Sequence, residues 1–232
     1  MNKYLKPKKY IDFLLTKTKQ LFPNLESKGE RIDIKYLEKN ILLNQNEKCH
    51  LARYEFSLFE ISPLDNVGDF ACGTGYGSVM LSKKAKHVIG IDIDAKVVEE
   101  IKKRYENIKN IEFLNLNLLD INYENNFDKI ISFETIEHIE EKQILELLKK
   151  FHRGLKKDGK LIFSTPYMQE KSEKALKMGF HLTFEINEEK INRWLEETGF
   201  VIEYFRYQNY DSCKITQELE NKDFIICIAK KQ

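Results

Sequence analysis

No segment of this chain approaches the roughly 20 consecutive apolar residues that a bilayer-crossing helix needs, so no membrane span is expected. The first residues also lack the apolar core of a secretory leader. Pro7 and the surrounding lysines interrupt it, and Tyr10–Leu15 is too short, which leads to an expected cytoplasmic location. Nor is there a surplus of either charge. Lysine and arginine total 38 against 37 aspartates and glutamates, a formal charge of +1. That balance supplies no general attraction to nucleic acid, and the early lysines (Lys3, Lys6, Lys8, Lys9, Lys17, Lys19) read as a solvated helix face. The four cysteines, Cys49, Cys72, Cys213 and Cys227, are far apart in sequence and form no C-x-x-C pair. Neither structural zinc nor a disulfide framework is therefore expected. Repeats and low-complexity linkers are missing as well.

What is present is an ordinary globular composition, 42% hydrophobic and 32% charged, in 232 residues. That suffices for one compact unit with a full core. From residue 66 onward, short β-branched runs alternate with charged amphipathic stretches. Strands are predicted at Val67–Phe70, His87–Ile93, Ile111–Leu116, Asp128–Phe133 and Lys160–Ser164. Helices are predicted at Tyr76–Lys84, Ala95–Asn107 and Lys142–Leu155. This alternation specifies an α/β fold, a mostly parallel sheet with helices on both faces. A helix over Asn187–Thr198 should stop at Gly199. Val201–Tyr207 and Phe224–Ala229 then read as strands with no helix between them, hence an antiparallel hairpin on one sheet edge. The first sixty-odd residues look helical, at Tyr10–Leu21 and at Glu47–Ile61, where Leu51, Tyr54, Leu58 and Ile61 share a face. The expected division is residues 1–62 as a helical cap or lid and 63–232 as the α/β domain.

Gly73, Gly75 and Gly77 fall where the first strand hands over to a helix, in Asp69-Phe70-Ala71-Cys72-Gly73-Thr74-Gly75-Tyr76-Gly77. Glycine there allows a tight turn and close approach of a ligand, although turn glycines also serve purely structural ends. Asp92 ends the second strand, seventeen residues beyond Gly75, where an acid can accept both hydroxyls of an adenosine ribose. Asp69, just before the loop, is placed to meet the amino end of an amino-acid-bearing cofactor. A dinucleotide site would prefer glycine at position 78 and would not keep an acid at 69; the chain has Ser78 and Asp69.

These motifs, continued by Gly90-Ile91-Asp92-Ile93-Asp94, Phe127-Asp128, Ser132-Phe133-Glu134-Thr135-Ile136-Glu137-His138 and Leu155-Lys156-Lys157-Asp158-Gly159-Lys160-Leu161, resemble class I S-adenosylmethionine-dependent methyltransferases. The resemblance spans about residues 64 to 205. It implies a Rossmann-like, seven-stranded sheet and S-adenosylmethionine as cofactor. It also implies that Asp69, Ala71, Gly73 and Gly75 meet the methionyl part, Asp92 the ribose and Ile93 the adenine. Leu116-Asn117 stands where many members have Gly-Asp; Asn117 can accept from the adenine amino group, and Leu118 would offer its backbone amide.

Gly29-Glu30-Arg31-Ile32 and His50-Leu51-Ala52-Arg53-Tyr54-Glu55-Phe56 resemble, more narrowly, a subgroup found in bacterial surface-polysaccharide and other glycan pathways. That implies a sugar, or a phosphorylated or nucleotide-linked precursor, as acceptor, with Arg31, Arg53 and Tyr54 in a lid over the cofactor. A sugar hydroxyl needs deprotonation, for which His138 and His181 are the candidate catalytic groups. Tyr167, Phe180 and Phe184 are candidates for an acceptor wall or for core packing. Glu134, Glu137, His138 and His181 are also similar to the metal site of small-RNA 2′-O-methyltransferases and are the candidate ligands of a divalent metal. The same Phe-Glu-x-x-Glu-His pattern occurs in methyltransferases that need no metal, where the glutamates line the cofactor pocket, and the metal-free reading is preferred. The alternatives kept are a metal-assisted RNA enzyme and a non-catalytic cofactor-binding scaffold. A monomer and a homodimer are both compatible with the sequence.

Overall fold

The computed structural model describes residues 32–34, 42–173, 179 and 181–232. The expected helix at Tyr10–Leu21, together with Arg31 and Phe180, lies outside the described residues.

Helix α1 (Gln45–Ser57) starts at a capping box, in which the Asn44 side chain accepts from the Glu47 amide while the Glu47 carboxylate accepts from that of Asn44. A 3-10 turn, Leu58–Glu60, follows. The α/β alternation then runs β1 (Asn66–Phe70), α2 (Tyr76–Ser82), β2 (His87–Asp92), α3 (Ala95–Arg104), β3 (Ile111–Asn115), β4 (Phe127–Phe133), a 3-10 turn Ile136–His138, α4 (Glu141–Gly154) and β5 (Leu155–Pro166). Asp94 caps α3 by accepting from the Lys96 and Val97 amides, and Lys102, Lys103 and Arg104 complement the dipole at its other end. The chain closes with α5 (Glu188–Glu197), β6 (Phe200–Gln208), β7 (Ile215–Thr216) and β8 (Phe224–Lys231).

The sheet has eight strands in the order β3-β2-β1-β4-β5-β8-β6-β7, so the expectation of seven is corrected. The extra strand, β7, is two residues of the polar excursion after β6 that pair with Tyr207 and Gln208. The expected hairpin forms, but β8 is not its outer strand. It inserts antiparallel between β5 and β6, and β7 takes the edge. Strand β5 is also longer than predicted. Its first residue, Leu155, pairs with Phe127, and the Lys156–Gly159 turn is carried as an irregularity before Lys160 pairs with Lys129.

Successive residues of the central strands enter different cores, as the period of two requires. Ile130, Leu161 and Ile225 pack with Leu147, Leu148 and Phe151 of α4 and Ile191, Trp194 and Leu195 of α5. Their neighbours Ile131, Ile162 and Ile226 pack on the other face with Tyr54, Tyr76 and Met80 of α1 and α2. Leu51, Leu58 and Ile61 join that second core, as the helical spacing predicted. Parallel strands β1 to β4 all end toward one rim, and the order turns back between β1 and β4. Ligands of open α/β sheets bind at such a switch point, beyond the carboxyl ends of the strands.

Candidate active site

A cleft of about 610 Å³, open mouth included, lies at that rim. Its walls come from the glycine loop (Ala71, Cys72, Gly73, Thr74), α1 (His50, Tyr54) and the turn after β4 (Glu134, Glu137, His138), with His181 and Ile32 completing it.

Asp69 is fully buried at the foot of the cleft. Its carboxylate accepts from Tyr54 Oη (3.0 Å) and from Ser78 Oγ (2.6 Å). Burial pushes its pKa up to about 6, against these two donors, and the Asp92 charge adds to the rise. Ser78, read in the sequence only as the residue that disfavours a dinucleotide, thus orients the loop acid. Gly77 serves the same contact: a Cβ there would lie 2.0 Å from Tyr54 Cζ, so only glycine lets the phenol reach Asp69.

At Gly73 the situation is reversed. The residue has φ +53, and a Cβ would meet nothing within 4 Å, which leaves the open backbone face of the loop toward the cleft. Its amide donates to Asp92 Oδ2 (2.9 Å), and the Asp94 amide donates to Oδ1 (2.9 Å). Asp92 is therefore held in a fixed orientation at the rim. Ile93, next in sequence, is 66% exposed although aliphatic, and Leu116 across the rim is 38% exposed. Two uncovered apolar side chains beside a fixed carboxylate suit a flat heteroaromatic ring next to a diol. Asn117 Oδ1 already accepts from the Leu119 amide at 2.9 Å, so its remaining lone pair is what an adenine amino group could use; Leu118 is buried behind it.

Glu134 follows β4 at φ 49 and turns inward. Its Oε1 accepts from Ser164 Oγ (2.7 Å) and lies 3.9 Å from Arg53 Nη1, while Oε2 is buried without a hydrogen-bond partner among the described residues. Burial raises its pKa, opposed by the Arg53 charge. Arg53 is wholly buried. It donates to Gln208 Oε1 (2.7 Å) and lies over the Phe224 ring, 4.5 Å from its centroid, so it backs the cleft wall and does not line it. Thr74 Oγ1 donates to the Ile32 carbonyl (2.8 Å), which lays residues 32–34 over the glycine loop.

At the other end of the cleft the His138 and His181 rings meet edge to face, centroids 4.9 Å apart. His181 Nδ1 is 2.6 Å from Gln169 Oε1, and burial together with His138 pushes its pKa down to about 3. Gln169 thus holds the His181 ring in place. Glu137 is buried; its carboxylate accepts from Thr165 Oγ1 (3.0 Å), and its carbonyl accepts from the Leu182 and Thr183 amides. Those bonds, with Met168 amide to Ile186 carbonyl and Glu185 amide to Gln169 carbonyl, bring residues 181–186 beside residues 168–169 and the turn after β4, where His181 meets His138. Glu137, His138 and His181 offer ligand atoms within 4.8 Å of one another. Glu134, the fourth sequence candidate for a metal, is not in that group and faces Arg53 and Ser164. Of the acceptor-wall candidates, Phe184 is buried beside His181, and Tyr167 packs on Tyr207, away from the cleft lining. Sequence reasoning missed Gln169 as a cleft-side residue; a lone glutamine in a segment without periodicity carries no signal.

The fold and this rim define a Rossmann-like α/β protein with a cleft at the switch point of its sheet. Residues 67–159 match the family described as "Methyltransferase domain". The chain is 29% identical over 140 residues to a probable S-adenosylmethionine-dependent methyltransferase of Mycolicibacterium smegmatis, covering 60% of this chain and 52% of that protein. It is 28% identical over 139 residues to one of Mycobacterium tuberculosis, covering 59% of this chain and 48% of that protein. The chain thus spans about half the length of these relatives. In fold it is similar to the S-adenosylmethionine-dependent methyltransferase of Mesorhizobium loti (TM-score 0.67, 15% identity, 81% of this chain and 100% of that one). It is also similar to the N-methyltransferase NodS of Bradyrhizobium japonicum (TM-score 0.62, 15% identity, 81% and 96%). Residues 67–159, less than half of the chain, are thus similar to methyltransferase domains, and the fold of the chain is like that of the compared structures.

Proposed function

We propose that this chain transfers a methyl group from S-adenosylmethionine to an oxygen of a small acceptor, a sugar or a phosphorylated or nucleotide-linked sugar precursor of a surface polysaccharide. The observation that carries the O-directed reading is the pairing of His138 with His181, which burial keeps neutral and Gln169 holds in place. When bound, the cofactor supplies an electrophilic methyl group on a sulfonium. Ala71 and Gly73 present backbone to its methionyl part, Gly75 makes the turn behind them against Phe113 and Tyr105, and Asp69 and Glu134 supply negative charge near its ammonium. Asp92 holds the ribose; Ile93, Asn117 and Leu118 surround the adenine. Residues 1–62 act as the lid, an assignment supported by the seating of Ile32 on Thr74 and of Tyr54 on Asp69. Arg53 serves the lid from behind by holding Glu134.

His138, the more accessible imidazole, takes the proton of the acceptor hydroxyl, and the neutral His181 ring beside it does not compete for charge. Glu137, through its carbonyl, keeps the two rings together. The test is transfer of a labelled methyl group to a panel of hexose phosphates and nucleotide sugars, with amines as the comparison. Label should appear in a sugar ether, and His138→Ala should lower turnover on the order of 10²-fold or more without changing S-adenosylhomocysteine affinity. Label only in amines, or wild-type turnover in the variant, overturns the reading. The convergence of Glu137, His138 and His181 favours a second reading, a divalent ion that acidifies the hydroxyl, which abolition of turnover by a chelator would select.

A further inference from the structure

Cys49 and Cys213 are 164 residues apart in sequence, yet their sulfurs lie 2.7 Å apart. One is fully buried on α1, one residue before His50 of the cleft wall. The other is partly exposed, in the excursion between β6 and β7. Nothing polar separates them. Tyr210 and Phe224 enclose the pair, and Cys49 Sγ also reaches the Tyr210 carbonyl at 3.3 Å. The surrounding bonds hold both backbones in place. Gln208 Nε2 donates to the carbonyls of Cys49 (3.0 Å) and Cys213 (3.2 Å), and Gln45 Nε2 donates to the Tyr210 carbonyl (2.6 Å). The other two cysteines, Cys72 and Cys227, are buried elsewhere.

We propose that Cys49 and Cys213 are a reversible disulfide site, which on oxidation covalently ties the cleft-lining helix α1 to the outer part of the sheet. The oxidant is a low-molecular-weight disulfide. Cys213, the exposed partner, attacks it as thiolate; the small disulfide's S–S bond breaks, and one small thiol leaves with a proton. Cys49 then gives up its proton and attacks Cys213 Sγ, displacing the second small thiol. Two protein thiols are oxidised and one small disulfide is reduced to two thiols. The loop closed in this way is long, so the oxidised chain loses much of its unfolded-state freedom.

The experiment treats the folded chain with oxidised glutathione, then counts thiols in denaturant and maps the tryptic peptides. Two thiols of the original four should remain, with a species joining residues 49–53 to 207–214, and reductant should restore all four. The oxidised protein should melt roughly 5–10 °C higher than the reduced one. Cys213→Ser should abolish the linked species, and Cys49→Ser serves as the second variant should the first fail to fold. Four thiols surviving in the folded protein, a glutathione adduct on Cys213 that Cys49 does not displace, or linkage only after denaturation would each overturn the proposal.

Discussion

Asp69 carries an electrostatic cost that its neighbours only partly relieve. A carboxyl raised from 3.8 to about 6 contributes stability that is fully present below the unfolded value and is lost as pH rises through about 6. Between those values the folded chain should lose on the order of 3 kcal/mol relative to an Asp69→Asn variant, since each pKa unit is worth about 1.4 kcal/mol. Urea unfolding of both proteins from about pH 4 to about pH 7 checks this, and parallel pH profiles would rule it out. The same ionisation gives the cleft its charge, so S-adenosylhomocysteine should bind more tightly above pH 6 than below it. The sequence placed Asp69 and the glycine loop correctly because strand, turn and helix start are encoded within a dozen adjacent residues. Ser78, Gly77 and Tyr54 around Asp69 were not legible as one constellation: Tyr54 arrives from a helix fifteen residues upstream, and only packing brings it there.

At the scale of elements, α1 is fastened by apolar burial and also by one buried cation. Arg53 joins Gln208 on β6, Glu134 after β4 and the Phe224 ring on β8. Arg53→Met should destabilise the chain by about 3–5 kcal/mol, because it leaves Glu134 buried without its counter-charge. Adding Glu134→Gln should recover part of that loss in equilibrium unfolding; strict additivity of the two changes would deny the coupling. The helix itself was visible in the spacing of Leu51, Tyr54, Leu58 and Ile61. Arg53, expected as part of a lid over the cofactor, is buried behind the cleft wall beside Glu134 and Gln208, since helical periodicity gives a face and not the polar partner that face meets. The two-residue β7 escaped for a simpler reason: a run that short has no period to detect.

For the molecule as a whole, ligand linkage gives the global readout. S-adenosylhomocysteine at about 100 times its Kd should stabilise the native state by about 2.7 kcal/mol, which raises Tm by roughly 5–10 °C for a chain of this size. NAD should leave Tm unchanged, and the opposite pattern would remove the cofactor assignment. Asp92→Ala should shrink the shift, because loss of charge-assisted bonds of about 1.5–3 kcal/mol weakens binding at least about tenfold. The architecture was readable because each βα unit is local in sequence. The strand order at the far side was not, because a hairpin read from sequence does not say which of its arms faces the sheet.

The insertion of β8 between β5 and β6 also fixes an order of assembly. Strands β1 to β5 can zip together as they leave the ribosome, each beside one already made, but β6 emerges with no place to dock. Until synthesis has passed Lys231, β5 offers an open strand edge and β6 waits as a loose amphipathic segment. The late nascent chain is thus the most adhesive species in the life of this protein, the stage at which a chaperone would be of most use.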